Sequence, residues 1–149
     1  MREAIHHRMD EFRRHCRAAG FALTHQREVI YRAVLESRTH PTPETIYERV
    51  RRDIPSISLG TVYKNVKTFL DAGLLREVTP LYGALRLEAN LSVHHHLICM
   101  RCKKVVDIEE GEVEPARLRG QPPEGFQILR ANIEFYGLCP PCASKPKEV

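Results

Sequence analysis

No apolar stretch of this sequence approaches the roughly 18–20 residues that cross a bilayer, and the mean hydropathy is −0.37. The N-terminal run MREAIHHRMDEFRR lacks the apolar centre of a secretory signal. Membrane insertion and secretion are thereby excluded as expectations, and a cytoplasmic location follows. Neither sign of charge is in great excess: 23 Lys and Arg face 19 Asp and Glu, a net +4. With 42% hydrophobic and 28% charged residues, the composition also excludes disorder throughout. The 149 residues suit one or two small domains. The small surplus of positive charge is unevenly placed. Residues 1–88 carry 15 basic and 11 acidic side chains, whereas 89–149 carry 8 of each. A basic first part is a prior for a polyanionic partner.

Four of the five cysteines fall in two C-x-x-C pairs, Cys99-Met-Arg-Cys102 and Cys139-Pro-Pro-Cys142, 36 residues apart. In a cytoplasmic chain this spacing reads as a metal site rather than as disulfides. Each turn aims two thiolates at one point, and two turns complete a tetrahedron of soft ligands for Zn²⁺. No position remains open for water, so the site is expected to be structural. A redox dithiol explains one pair and leaves the other over. Cys139-Pro140 also has the form of a haem-regulatory dipeptide, but zinc makes better use of the thiolate. Cys16 shares one helical face with Ile5, Met9, Phe12 and Ala19, and reads as a small buried hydrophobe.

The first part is patterned as helices. The first is expected over about 3–19, ending at Gly20. A second starts after Thr24, with Val29, Ile30, Ala33 and Val34 facing inward. Thr42-Pro43-Glu44 opens a third, extending to about Asp53. Ser58 caps a fourth, which Gly73 ends. Leu74–Val78 and 84–88 then read as strands, joined by a turn at Thr79-Pro80-Leu81-Tyr82-Gly83. Helices followed by a two-stranded hairpin are the order of a winged helix-turn-helix. In the fourth helix Leu59, Val62, Val66, Phe69 and Leu70 form an apolar face. Thr61, Lys64, Asn65 and Thr68 form a polar one, bordered by Tyr63 and Lys67. It lacks any carboxylate before Asp71, which suits a helix reading base edges and phosphates. An ordinary amphipathic helix is the alternative. Arg13, Arg14, Arg17, Arg27 and Arg86 are candidate phosphate contacts.

His94-His95-His96 leads into Leu97-Ile98-Cys99, a predicted strand whose alternation sends His94 and His96 to one face and His95 to the other. The next predicted strand, Val105-Val106-Asp107-Ile108, brings Asp107 alongside. Glu88 ends the wing and His40 precedes Pro41. Three imidazoles with two carboxylates form a mixed N/O set, suited to Fe²⁺, Mn²⁺ or Zn²⁺ rather than to Mg²⁺ or Ca²⁺. A solvated polar strand end is the competing reading. Beyond, a short helix is expected near 111–119, a loop at 121–125, a last strand over 126–136 and a disordered tail at 143–149.

Thr24-His25-Gln26-Arg27, His40-Pro41-Thr42, Ser58-Leu59-Gly60-Thr61-Val62-Tyr63, Gly73-Leu74, His94-His95-His96-Leu97-Ile98-Cys99 and the paired cysteines together resemble the ferric uptake regulator family. The resemblance covers about residues 10–142. It implies a bacterial metal-dependent transcription factor, not an enzyme, acting as a homodimer. The fold class implied is α+β: a winged-helix DNA-binding domain over 1–88, a hinge at 89–93, and a small α/β dimerisation and metal-binding domain over 94–149. It implies that Tyr63 and its neighbours read a palindromic, A·T-rich double-stranded operator. Cys99, Cys102, Cys139 and Cys142 hold structural Zn²⁺, and His40, Glu88, His94, His96 and Asp107 match the regulatory ligands for Fe²⁺ or Mn²⁺. Asp107 and the short spacing from Glu88 to His96 resemble the peroxide-sensing branch, in which His40 or His94 is oxidised. That branch usually has Asp where Glu88 stands. The alternatives are an iron- or manganese-dependent uptake regulator without peroxide sensing, a zinc uptake regulator, or a zinc-ribbon thiol oxidoreductase.

Overall fold

The computed structural model describes residues 2–37, 39–78, 85–114 and 117–145. The chain divides into two compact units, Met1–Leu91 and Ser92–Val149. The first contains α1 (Arg2–Ala18), α2 (His25–Glu36), α3 (Pro43–Val50), α4 (Leu59–Asp71), β1 (Arg76–Val78) and β2 (Arg86–Glu88). The second contains β3 (His94–Cys99), β4 (Val105–Glu109), β5 (Glu134–Gly137) and α5 (Pro140–Ala143).

In the first unit α2, α3 and α4 each start where the sequence supplies an oxygen. The side chains of Thr24, Thr42 and Ser58 accept from the N–H groups of Arg27, Thr45 and Thr61, satisfying donors that the helix leaves over. Gly20 and Gly73 end α1 and α4 at positive φ, 71° and 69°. In each case the N–H of the following residue reaches back to the helix: Phe21 to the Cys16 carbonyl, 2.8 Å, and Leu74 to that of Phe69, 2.9 Å. The helices bury Met9, Phe12, Cys16, Ile30, Val34, Ile46, Val50, Val62, Val66 and Phe69 in one cluster. At its centre Phe12 stacks on Tyr31 at 4.3 Å, and Phe69 meets both rings edge-on at 5.4 and 5.6 Å. Tyr31 was not on the inner face expected of the second helix; Val29, which was, is half-buried. Ala19 lies beyond α1 and is exposed. Leu59, in the first turn of α4, is 36% exposed, because the apolar face packs from Val62 onward. The third helix stops at Val50, and residues 51–53 form a turn.

β1 and β2 pair antiparallel, Arg76 opposite Glu88. Leu74 and Leu75 are buried but precede the strand. The predicted turn at 79–83 lies outside the described residues. In the second unit β3 is central, antiparallel to β4 and parallel to β5. Two expectations are corrected there. The helix expected near 111–119 is a single 3-10 turn at Glu110–Glu112; this stretch has no apolar face to bury, and residues 115 and 116 lie outside the described ones. The last strand spans only Glu134–Gly137, not 126–136. It starts where β3 offers partners, His96 opposite Glu134. Before that, the Ile133 N–H is taken by the His95 ring at 3.0 Å. Of the tail expected to be disordered from 143, Ala143 ends α5 and Ser144 and Lys145 follow it, whereas residues 146–149 lie outside the described ones.

Candidate metal centres and nucleic-acid interface

Two backbone turns assemble the cysteines. After β3 the chain folds back so that the Lys103 N–H meets the Cys99 carbonyl at 2.9 Å and the Cys99 N–H meets that of Lys104, also at 2.9 Å. Lys103 takes a left-handed φ of 63° to close this turn. The second pair sits at the start of α5, where Cys139 is the N-cap. Arg101 ties the turns together, donating to the Cys142 carbonyl at 2.5 Å. One ligand atom from each of Cys99, Cys102, Cys139 and Cys142 lies within 4.8 Å of the others, and Cys102 Sγ is 3.7 Å from Cys139 Sγ. A tetrahedral ion with metal–sulfur bonds of about 2.3 Å sets its sulfurs about 3.8 Å apart. The four thiols therefore fit a closed, four-coordinate metal site; all are unbridged by disulfides. The backbone N–H of Cys139, then those of Cys102 and Arg101, hold the Cys99 thiol down at about 5. Hydrogen bonding to Cys139, then burial, push Cys142 up to about 12. The cluster thus favours one negative charge and resists more, which a bound cation relieves.

In the first unit, His40 Nε2 lies 2.5 Å from Glu88 Oε2, with both residues buried. Glu88 is held by its place in β2, and its second oxygen accepts from the Asn90 N–H. In the second unit, strand alternation puts His94 and His96 on one face, their Nε2 atoms 3.1 Å apart. The register sets Asp107 opposite His96. Its Oδ1 is 3.8 Å from His96 Nε2 and 4.0 Å from His94 Nε2. Ligands about 2.1 Å from one ion are separated by about 3.0–4.2 Å, from neighbouring to opposite positions; all three distances fall inside that span. His94 Nδ1 lies 3.0 Å from the Ser92 carbonyl. A carbonyl only accepts, so Nδ1 carries the proton and, in the neutral ring, Nε2 presents its lone pair. His95, as expected, is directed elsewhere.

On α4, Tyr63, Lys64 and Lys67 are exposed and Thr61 and Thr68 half-buried. Asn65 departs from the expected polar face. It is 8% exposed, its amide donating to the Thr61 carbonyl at 2.8 Å and accepting from Arg27 Nε at 3.2 Å. Tyr63 donates its hydroxyl to Glu44, at the start of α3. This bond lowers the Glu44 pKa and raises that of Tyr63. Among the arginines, Arg14 and Arg17 are exposed. Arg13 is engaged by Glu28 at 2.6 Å and Asp10 at 2.9 Å, and Arg86 by the His40 carbonyl at 3.1 Å. The sequence reading missed Glu44, Ser92 and Arg101. Glu44 and Arg101 act through contacts distant along the chain; Ser92 contributes only its backbone, which composition does not distinguish.

The profile of the ferric uptake regulator family matches residues 18–136. The chain belongs to this family. As a family member it is a metal-dependent transcriptional regulator rather than an enzyme, and regulators of this family bind DNA and dimerise. It is 34% identical over 143 residues to the peroxide-responsive repressor PerR of Staphylococcus aureus strain Mu50, covering 96% of this chain and 97% of that one. Its fold is that of the Helicobacter pylori ferric uptake regulator Fur, with TM-score 0.73, 18% identity and 95% of each chain covered. A zinc-bound manganese uptake regulator is similar at TM-score 0.62 and 28% identity, over 85% of this chain and 97% of that one. Among the described residues no helix is long and apolar enough to cross a membrane.

Proposed function

We propose that this family member is a peroxide-responsive repressor in which one Fe²⁺ or Mn²⁺ takes His40, Glu88, His94, His96 and Asp107 as ligands, while Zn²⁺ occupies the four-cysteine site. The observation that carries the reading is a pair of half-sites: buried His40 with buried Glu88, and buried His94 and His96 with exposed Asp107. Glu88 and His94 are six residues apart, so the chain keeps the two within about 20 Å. Similarity to PerR across nearly the whole chain supports the peroxide branch.

In this reading 1–88 forms the DNA-binding domain, 89–93 the hinge and 94–149 the dimerisation domain. Ligands drawn from both sides of the hinge fix one arrangement of the two domains. In a homodimer that arrangement sets the spacing of the paired α4 helices, which must match the half-sites of a palindromic, A·T-rich operator. Thr61, Tyr63, Lys64 and Lys67 contact the duplex, with Asn65 buttressing the helix through Arg27; Arg14 and Arg17 take phosphates. Metal and operator affinities are then linked reciprocally.

When bound by these residues, Fe²⁺ would supply the redox chemistry that activates hydrogen peroxide, with no net loss of electrons from the ion. In the net reaction one peroxide oxygen enters the ring of His40 or His94, and the other leaves as water. The ring loses two electrons and, with them, its strength as a ligand. The domains part and the promoter is released. The test is to load the protein anaerobically with Fe²⁺ or Mn²⁺, add hydrogen peroxide, and weigh the peptides bearing His40 and His94. A gain of one oxygen with iron alone is expected; no gain with either metal overturns peroxide sensing. Glu88, in place of the peroxide branch's usual aspartate, favours the second reading, an iron- or manganese-dependent regulator, in that event.

A further inference from the structure

β2 grips the segment around His40 through three consecutive residues. Arg86 Nη1 donates to the His40 carbonyl at 3.1 Å. The Leu87 N–H donates to the Pro41 carbonyl at 2.9 Å. Glu88 meets the His40 ring at 2.5 Å. Pro41 has no N–H, so it returns no ladder bond to the strand. The Leu87 bond holds this segment on the carbonyl side of Pro41. The planar, charged fork of Arg86 supplies a second point of attachment on the other side of that residue. Strand alternation puts Arg86 on the face of Glu88, with Leu87 buried behind them at 1% exposure.

We propose that Arg86 is a positioning residue of the regulatory metal site, not a phosphate contact of the wing. It acts through His40: by holding the His40 carbonyl it sets the direction in which the ring reaches Glu88. The proposal rests on the reading that His40 and Glu88 are metal ligands. The guanidinium is engaged by a carbonyl beside the site, and Arg86 is half-buried.

The test titrates the full-length protein, its cysteine site loaded, with Mn²⁺ alone. Arg86→Gln is expected to weaken Mn²⁺ binding about tenfold, the lower end of the effect of losing a group that orients a ligand. Arg86→Lys, which keeps the charge and packing but not the fork, is expected to weaken it too, and carries the test if Arg86→Gln does not fold. In a His40→Ala background Arg86→Gln is expected to add nothing, since the residue it orients is gone; a merely structural role would add its full effect there. With Mn²⁺ saturating, binding to a random-sequence duplex should keep the wild-type salt slope, whereas loss of one phosphate contact from each subunit of the dimer lowers it by about 1.8. Unchanged Mn²⁺ affinity in both variants, additivity with His40→Ala, or the lowered slope overturns the proposal. If His40→Ala itself leaves Mn²⁺ affinity unchanged, the ligand assignment fails and the proposal with it; if His40→Ala weakens binding and the Arg86 variants do not, the proposal alone fails.

Discussion

Tyr63 is the exposed aromatic of α4, and its hydroxyl is already spoken for by Glu44. Its outward ring suits apolar contact with a thymine methyl, and its hydroxyl oxygen can still accept a hydrogen bond. The mutual pKa shifts set the pH limits of the bond between Tyr63 and Glu44. Glu44, lowered, holds the bond above the ordinary carboxylate range and loses it as pH falls through the lowered value. Tyr63, raised, holds it below the ordinary phenol range and loses it as pH rises through the raised value. Glu44→Gln is expected to return the Tyr63 pKa toward that of a free phenol, followed by NMR of the ring carbons; an unmoved titration would break the assignment. At the metal site, His94→Ala removes the ring whose tautomer Ser92 sets. Metal-activated operator binding should disappear while dimer and zinc content stay intact. Had activation survived, the five-ligand set would be wrong. The residue scale also shows what a sequence hides. Thr61, Lys64 and Asn65 look alike as polar side chains at helical spacing. Only the position of Arg27, 38 residues away, turns Asn65 inward.

Elements were most legible where the determining chemistry is local. Thr24, Thr42 and Ser58 each start a helix by offering an oxygen to an N–H three residues on, and that offer is written within four letters. The cysteine turns are equally local. Legibility failed where an element depends on a distant partner: β5 begins when β3 supplies pairing, so its first eight expected residues, apolar enough to suggest a strand, remain irregular. The strand face bearing His94 and His96 was readable from alternation, and Asp107 from the two-strand register. The left-handed turn at Lys103 is a further local feature. A side chain with a Cβ there costs about 1 kcal/mol. Lys103→Gly is accordingly expected to stabilise the second unit by roughly that amount, measured as a rise in the thermal midpoint of the metal-loaded protein. A fall would mean that the Lys103 side chain contributes more than its backbone costs.

At the scale of the whole molecule the two units are unequal. The buried cluster of the first draws only on residues 9–87, whereas the second has little beyond Ile98, the histidines and two of its cysteines buried. Across its sheet Val106, Leu97 and Phe135 lie in one register row, 42–43% exposed. In a family whose members dimerise, such an exposed apolar row suits burial against a second copy. Phe135→Asp is expected to give a monomer in sedimentation experiments with the helical signal of the first unit unchanged; a dimer of undiminished affinity would move the interface elsewhere. Stripping the cysteine site with a strong chelator should unfold the second unit while the first keeps its helicity, followed by far-ultraviolet circular dichroism.

The arrangement of the thiols also makes a closed ring of the chain. With a metal ion bound by the four thiols, the polypeptide from Cys102 to Cys139 would leave the ion and come back to it. Because its two ends are pinned, lengthening the excursion costs little, about 0.6 kcal/mol for each doubling. The part of this stretch between β4 and β5 is thus open to insertions. A protease nick near residue 120 would sever the covalent path without parting the pieces: both halves would travel together on a native gel, and separate only when the ion is withdrawn.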